Sequence, residues 1–195
     1  MTNFKEPAFS IANFQPKYKH HVNRGLSLHT VVYIFENYNF DFEVFLPTYG
    51  INLQRGLVWS KIQKESFIIA ILKDQNLPPI VVIENSLERD KGIKTLQVID
   101  GKQRLTTLAA FLANEFPVNL FGNEYYFKDL PNDVAKYIKY WHGLKFDIHY
   151  HNESNAILDD TKIQIFEDVN FLGTPQDKMH LDHIKRLQDD SKIKN

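Results

Sequence analysis

One glycine in the middle of the chain separates two segments with different hydrophobic periodicity. Residues 93–99 are rich in β-branched side chains, which predicts a strand. Beyond Gly101, apolar side chains recur at the spacing of one buried helix face, at Leu105, Leu108, Ala109 and Leu112. We therefore predict a strand-to-helix turn at Asp100-Gly101, with Gly101 in a backbone conformation that a side chain would resist.

The predicted turn concentrates groups that attract anions. The start of a helix carries unpaired N–H groups and the positive end of the helix dipole, and Lys102 and Arg104 add positive charge there. Asp100 is an acid in this cationic setting. Its carboxylate would hold a metal, transfer a proton or lock Arg104 in a bidentate ion pair, and the residue types alone leave these three roles open.

The length and charge of the chain bound its class. Its 195 residues are most simply one domain, and we predict an irregular arm or a short strand over residues 1–26, a single domain over 27–188 and a charged tail over 189–195. The 23 Lys and Arg residues nearly balance the 24 Asp and Glu residues. The whole chain therefore lacks the basic surface that attracts nucleic acid, and any DNA contact would have to be local.

Nothing in the sequence predicts a membrane segment. Apolar runs such as residues 67–72 are too short to span a bilayer, and the amino-terminal residues contain no apolar signal region. The chain has no cysteine, which fits a reducing compartment. We expect a cytoplasmic protein, or one in the cytoplasm of a host cell, with no membrane partner.

Strand and helix patterns follow one another without regular alternation. Ser27 is predicted to cap one helix, and Ser60 with Gln63 to form the capping box of a second. A continuous apolar run at residues 80–84 predicts a central strand buried on both faces, beside the strand at 93–99. The remaining predictions are strands at 45–52 and 144–151, a hairpin at Gly122-Asn123, and helices over 131–141, from Asp159 or Asp160 to Val169, and from Thr174 onward. This mixture favours an α+β domain over a doubly wound sheet.

Several polar residues lie far from the turn in sequence. Gln54-Arg55 precedes Trp59, and Asn170 precedes Gly173 at the end of a predicted helix. Taken alone, Arg55 is most simply a solvated or structural charge, and Asn170 with Gly173 a helix C-cap. The histidine pairs His149/His151 and His180/His183 have spacings that zinc ligands also use, but neither has an obvious third ligand, and we interpret both as exposed pairs.

Taken in order, these segments resemble the pattern of a known family. The pattern is Gln54-Arg-x-x-x-Trp59-Ser, Pro78-Pro-Ile, Val98-Ile-Asp-Gly-Lys-Gln-Arg-Leu-Thr-Thr107 and Phe166-x-x-x-Asn170-x-x-Gly173. It resembles the DGQQR-motif family of domains of unknown function, which are ParB/sulfiredoxin-like domains at the amino end of GmrSD-type modification-dependent restriction enzymes. The resemblance covers about residues 28–187. It implies a ParB/sulfiredoxin-like α+β fold, a small mixed sheet with packed helices.

The resemblance also implies a function and a set of site residues. Its members look like domains that bind and hydrolyse nucleoside triphosphates, with Mg²⁺, in phage-defence systems. On that basis the catalytic residues are Asp100, Gln103 and Arg104, and Asp100 is also the metal ligand. The nucleotide-binding residues are Gln54, Arg55, Gly101, Lys102, Thr106 and Asn170.

The chain departs from the family pattern at two places. Lys102 stands where the family usually has glutamine, which leaves hydrolysis open. Members are commonly fused to a carboxy-terminal HNH-type nuclease, and this sequence ends at Asn195 without one, so we expect no DNA cleavage by the HNH route.

Three classes of function follow from these observations. The first is a nucleoside-triphosphate-binding regulatory domain, with or without hydrolysis. The second is a ParB-like protein that binds or nicks DNA. The third is a catalytically idle interaction or decoy module, whose partner would be a separate nuclease or defence protein.

Overall fold

A mixed five-stranded sheet forms the centre of the fold. The computed structural model describes residues 22–54, 56–84, 94–151 and 157–172, together with residue 186. In chain order the elements are β1 (Val22–Thr30), α1 (Val31–Asn37), β2 (Tyr38–Asp41), β3 (Phe45–Leu46), β4 (Ile51–Asn52), α2 (Lys61–Leu72), β5 (Ile80–Glu84), β6 (Lys94–Asp100), α3 (Lys102–Leu112), β7 (Val118–Leu120), β8 (Asn123–Tyr125), α4 (Asn132–Lys136), β9 (Gly143–His151) and α5 (Asp159–Leu172).

The strand order in the sheet is β1-β9-β5-β6-β2. The β1/β9 and β5/β6 pairs are antiparallel, whereas β9/β5 and β6/β2 are parallel. Two short hairpins, β3–β4 and β7–β8, lie outside this sheet. The prediction of a small α+β domain is confirmed, and so are the central position of β5 and its pairing with β6.

Both faces of the sheet are covered, which explains the uninterrupted apolar sequence of β5. Ile80 and Val82 lie in a core that includes buried residues of α1, α2 and α3. Val81 and Ile83 lie in a second core with buried residues of α5. Because successive side chains of a strand point to opposite faces, a strand with two cores must be apolar at every position.

The sheet begins earlier in the chain than the sequence pattern indicated. β1 includes residues 22–26, where the sequence left an irregular arm or a short strand open, and it continues through Ser27, which is therefore not a helix cap. Thr30 caps α1 instead, accepting a hydrogen bond from the backbone N–H of Tyr33. β1 is formed by pairing with β9, and such long-range pairing overrides local propensity.

Two other local predictions need adjustment and two are confirmed. The predicted strand over 45–52 is a hairpin, β3–β4, whose turn contains Gly50 with φ of 65°. The predicted hairpin near Gly122-Asn123 exists, with its turn at Phe121-Gly122. The capping box of α2, formed by Ser60 and Gln63, is confirmed, and α4 continues as a π-helical turn to Trp141 as the 131–141 prediction required.

Several predictions lie outside the described residues. They are the structure of residues 1–21, the loop at 85–92, the helix from Thr174 with the pair His180/His183, and the tail over 189–195. Within the described part of the chain, no helix has the length and apolar character needed to cross a membrane.

Candidate functional site

The Asp100-Gly101 turn has the predicted geometry. Gly101 has φ of 109° and ψ of 3°, a left-handed conformation that glycine adopts without a steric penalty. A Cβ atom at this position would lie 2.9 Å from Cγ2 of Ile80. Both the backbone conformation and the close approach of β5 therefore require glycine, and the positive φ predicted from the sequence is confirmed.

The amino end of α3 begins directly at this turn. Gly101 occupies the N-cap position and, having no side chain, makes no side-chain cap hydrogen bond to the first turn of the helix. The first helical N–H groups are therefore not capped by this residue, and the dipole of this 11-residue helix places positive potential there. This end of α3 has the properties of an anion-binding site.

Arg104 is fixed by three oxygen atoms. Its Nη2 atom lies 2.6 Å from Oδ2 of Asp100 and 3.1 Å from the carbonyl oxygen of Pro79, and Nη1 donates to the carbonyl oxygen of Pro78. The Arg104 side chain is only 12 % exposed. Burial lowers the pKa of Arg104, and the charge of Asp100 opposes this effect. Of the three roles open for Asp100, the geometry supports an ion pair with Arg104, made through one oxygen.

Gln103 fastens a loop to the first turn of α3. Its side-chain Nε2 donates to the carbonyl oxygen of Gly56 at 2.9 Å. Its Oε1 accepts hydrogen bonds from the backbone N–H groups of Val58 at 3.2 Å and Trp59 at 3.3 Å. The amide group thus has backbone partners at both ends, and it positions residues 56–59 against the helix.

Gln54 and Thr106 also bind backbone oxygen atoms. Nε2 of Gln54 donates to the carbonyl oxygen of Val98 at 2.7 Å and to that of Ile99, which attaches the end of β4 to the end of β6. The Thr106 hydroxyl donates to the carbonyl oxygen of Lys102 at 2.7 Å, one helical turn earlier. These hydrogen bonds of Gln54 and Thr106 stabilise the backbone, and they do not orient either side chain toward a ligand.

Lys102 lies on the side of the turn that faces β2 and β3. Its Nζ atom lies 3.4 Å from the carbonyl oxygen of Phe42 and 3.4 Å from Oε1 of Glu43. Both contacts are long, and the Glu43 side chain is largely exposed. Lys102 is therefore the basic side chain of the motif with the weaker attachment, since Arg104 makes shorter bonds.

Two predicted site residues cannot be placed by their side chains. Arg55 lies outside the described residues. Asn170 lies in the last turn of α5, with its side chain outside the described part. The structure therefore brings Gln54, Asp100, Gly101 and the residues of the first α3 turn together, and it leaves Arg55 and Asn170 as predictions.

The sequence did not predict the groups from other parts of the chain that contact Lys102 and Arg104 at this turn. The carbonyl oxygens of Pro78 and Pro79 anchor Arg104, and Glu43 contacts Lys102. Glu43 and Lys102 are 59 residues apart, so no local spacing could connect them. The Pro78-Pro79 pair could have been found from the sequence, because it belongs to the family pattern. Its contribution is made by backbone carbonyl oxygens, however, and the identity of the side chains does not reveal those contacts.

The interpretation of His149 as an exposed residue is wrong. His149 is buried on β9, with Nε2 3.5 Å from Oδ1 of Asp147, and Nε of Arg24 donates to the same oxygen at 2.7 Å. Burial raises the pKa of Asp147, but hydrogen bonds from His149 and Arg24 outweigh it and lower the pKa to about 2. His149 thus belongs to a polar cluster with the buried Asp147 and the more exposed Arg24, and the described residues contain no group of three or more potential metal ligands.

This cluster predicts a loss of stability in acid. The Asp147 pKa falls from 3.8 to about 2 on folding, so ionised Asp147 stabilises the folded state above pH 4, and this stabilisation is lost as the pH falls toward 2. We expect Asp147 to contribute about 2 kcal/mol to the free energy of unfolding at neutral pH. Urea denaturation at a series of pH values between pH 5 and pH 2 measures this contribution to the free energy of unfolding.

The matched control for the acid experiment is Asp133→Asn, at an exposed position of α4. The control variant should keep the wild-type pH dependence between pH 4 and pH 2, and Asp147→Asn should flatten it. An identical pH dependence in Asp147→Asn and wild type would show that Asp147 is not the titrating group.

Comparison with known proteins gives one match. A family model described as the N-terminal domain of the GmrSD restriction endonuclease matches residues 33–190. No curated protein and no solved structure matches the chain.

Proposed function

Because the chain belongs to the family of GmrSD restriction endonuclease N-terminal domains, which links it to phage-defence restriction systems, we propose that it binds a nucleoside triphosphate at the Asp100-Gly101 turn. In this proposal the domain regulates a restriction system in response to the nucleotide. The observation that carries the proposal is the uncapped amino end of α3, which opens from a left-handed glycine. Phosphate groups are the ligands that such helix ends bind.

The contacts around the turn support two different roles for the motif residues, phosphate binding and positioning. The first-turn N–H groups, Lys102 and the free oxygen of Asp100 are the groups that would face the phosphates. Gln103 and Arg104 act as positioning residues, because their side-chain polar groups hold residues 56–59 and the start of β5. In this proposal Gln103 and Arg104 are positioning residues and not catalytic residues.

Asp100 is the residue that would hold Mg²⁺. One carboxylate supplies only one of the ligands that Mg²⁺ needs. Mg²⁺ bound with nucleotides takes its other ligands from phosphate oxygens and water. Bound there, Mg²⁺ would neutralise charge on the phosphates. The Asp100 side chain is 34 % exposed, and only its Oδ2 atom contacts Arg104, so Oδ1 is the atom that fits this role.

Calorimetric titration with GTP, CTP and ATP, with and without Mg²⁺, tests the proposal. We expect one of these nucleotides to bind to one site per chain. The absence of heat for all of them, in a folded sample, would contradict it. A filter-binding assay with DNA over a range of salt concentrations separates the ParB-like alternative, because phosphate contacts release counterions and weaken with salt.

The role of Asp100 gives a kinetic prediction. If the domain hydrolyses the nucleotide, Asp100→Asn should keep appreciable nucleotide affinity and lower the rate of phosphate release about 100-fold, the usual scale for losing a positioned acid or base. Lys102→Gln, which restores the family residue, should leave the rate equal or higher. The control is Asp133→Asn, and phosphate release is the measurement.

An interaction module is the second candidate. The side chains of Gln54, Gln103 and Arg104 all bind backbone oxygen or nitrogen atoms, which is what a rigid scaffold needs. If wild-type protein binds nucleotide but releases no phosphate, the domain is a sensor that acts through a partner. The family link points to a nuclease or another defence protein as that partner.

A further inference from the structure

A cleft of about 200 Å³ lies beside Arg104, between the end of α2, the start of β5 and the start of β9. Its apolar walls are formed by Phe67, Leu77, Ile80 and Leu144. Arg104 lines the cleft and also contacts Asp100 at the turn, so the two sites share one guanidinium group. Neither Lys102 nor Asp100 lines this cleft, which we name the His142 cleft after the histidine in its wall.

His142 has unused hydrogen-bonding capacity. The residue is 4 % exposed, and neither of its ring nitrogens has a hydrogen-bond partner among the described residues. Buried polar atoms without a partner are rare because they lower the stability of the folded protein. A bound ligand that forms the missing hydrogen bonds is one reason for such atoms. Burial lowers the pKa of His142, which favours the neutral ring with one donor and one acceptor nitrogen.

Asp74 stands at the mouth of the cleft next to this ring. Its Oδ1 atom lies 3.5 Å from Nδ1 of His142, and its side chain is 79 % exposed. The backbone of Asp74 has φ of 51°, which is uncommon for a residue other than glycine. Asp74 and His142 both line the cleft, so the carboxylate and the ring lie side by side at its polar edge.

The charges in the cleft do not select an anion. Arg104 is paired with Asp100, and Nζ of Lys145 donates to the side-chain oxygen of Asn76. With Asp74 at the mouth, the cationic groups are matched by acidic or polar partners. Apolar walls with donors and acceptors at the edge suit a flat, uncharged ring, and the volume is below that of pockets for drug-sized ligands.

We propose that the His142 cleft binds the heterocyclic base of the nucleotide whose phosphates bind at the start of α3. This inference rests on the proposed nucleotide binding. The apolar walls contact the faces of the base, and His142 and Asp74 contact its polar edge. Arg104, fixed between the two sites, sets their relative position.

A blocking substitution at the rim tests the proposal. Asn76→Trp places a large side chain at an exposed position of the cleft, and Asn132→Trp is the matched control, at an exposed position that does not line it. The ligands are Mg²⁺ with ATP, GTP or CTP, and Mg²⁺ with inorganic tripolyphosphate. Gln75→Trp, on the same rim, is the second blocking variant if Asn76→Trp does not fold.

In wild-type protein and in Asn132→Trp we expect at least one nucleotide to bind about 10-fold or more tightly than tripolyphosphate, a difference of about 1.4 kcal/mol. The blocking variant should bind that nucleotide no better than tripolyphosphate, and its affinity for tripolyphosphate should be unchanged. If nucleotides and tripolyphosphate bind wild type equally, or if blocking leaves nucleotide affinity unchanged, the base site is wrong and the phosphate site stands.

Free nucleosides separate the two proposals from the other direction. We expect them to shift the ring NMR signals of His142 in wild-type protein and not in the blocking variant. If nucleosides give this shift while neither tripolyphosphate nor any nucleotide shows phosphate-dependent affinity, the proposed phosphate site fails and the base site stands. If nucleosides leave the His142 signals unmoved, the base site is overturned.

Discussion

Arg104→Ala is expected to lower the free energy of unfolding by about 3 kcal/mol. The substitution removes a nearly buried guanidinium that holds Asp100 and the carbonyl oxygens of Pro78 and Pro79. Those oxygens lose their charged donor, and partly buried acceptors without partners are costly. Urea denaturation monitored by circular dichroism measures the change.

The matched control is Arg186→Ala, at an exposed arginine, which should change stability by less than about 0.5 kcal/mol. The double variant Asp100→Ala with Arg104→Ala should be less destabilised than the sum of the two single variants, because the two residues form one ion pair. A stability loss in Arg104→Ala no larger than in the control would contradict the positioning role. Nucleotide affinity is then compared only under conditions in which both variants are folded.

Gly101→Ala is expected to lower the free energy of unfolding by about 3 kcal/mol, because two penalties add at this position. Alanine would be held at φ of 109°, in a region that L residues rarely adopt. Its Cβ would also lie 2.9 Å from Cγ2 of Ile80, a buried side chain that would have to shift. Thermal and urea denaturation give the measurement.

Gly122→Ala isolates the first of these penalties. Gly122 has φ of 86°, but a Cβ there would meet no atom within 4 Å. We expect Gly122→Ala to cost about 1 kcal/mol, from the backbone conformation alone. Equal losses at the two glycines would show that the contact with Ile80 has no energetic weight.

The strand, turn and helix around Gly101 were predictable because their causes are local. Branched residues before the glycine and helical spacing after it fix β6 and α3, and the positive φ follows from the abrupt change of direction. The capping box of α2 is local in the same sense, since Ser60 and Gln63 are three residues apart. Short-range patterns therefore located the candidate site.

The support of that site was not predictable, because its causes are long-range. Gln103 holds a loop 47 residues away, at Gly56, and Arg104 holds Pro78, 26 residues away. The sequence marks both side chains as polar but does not show that their partners are backbone atoms. For the same reason the extent of β1 was not predictable, since its formation depends on β9 and not on its own composition.

The position of β9 has a consequence for how the chain folds during synthesis. β9 lies between β1 and β5 in the sheet, although it follows both in the chain, and Arg24 and Asp147 are joined across 123 residues. On the ribosome, β1 therefore waits without this neighbour until residues 143–151 have emerged. Such late, long-range pairing slows folding, and it leaves strand edges open to other chains until β9 is inserted.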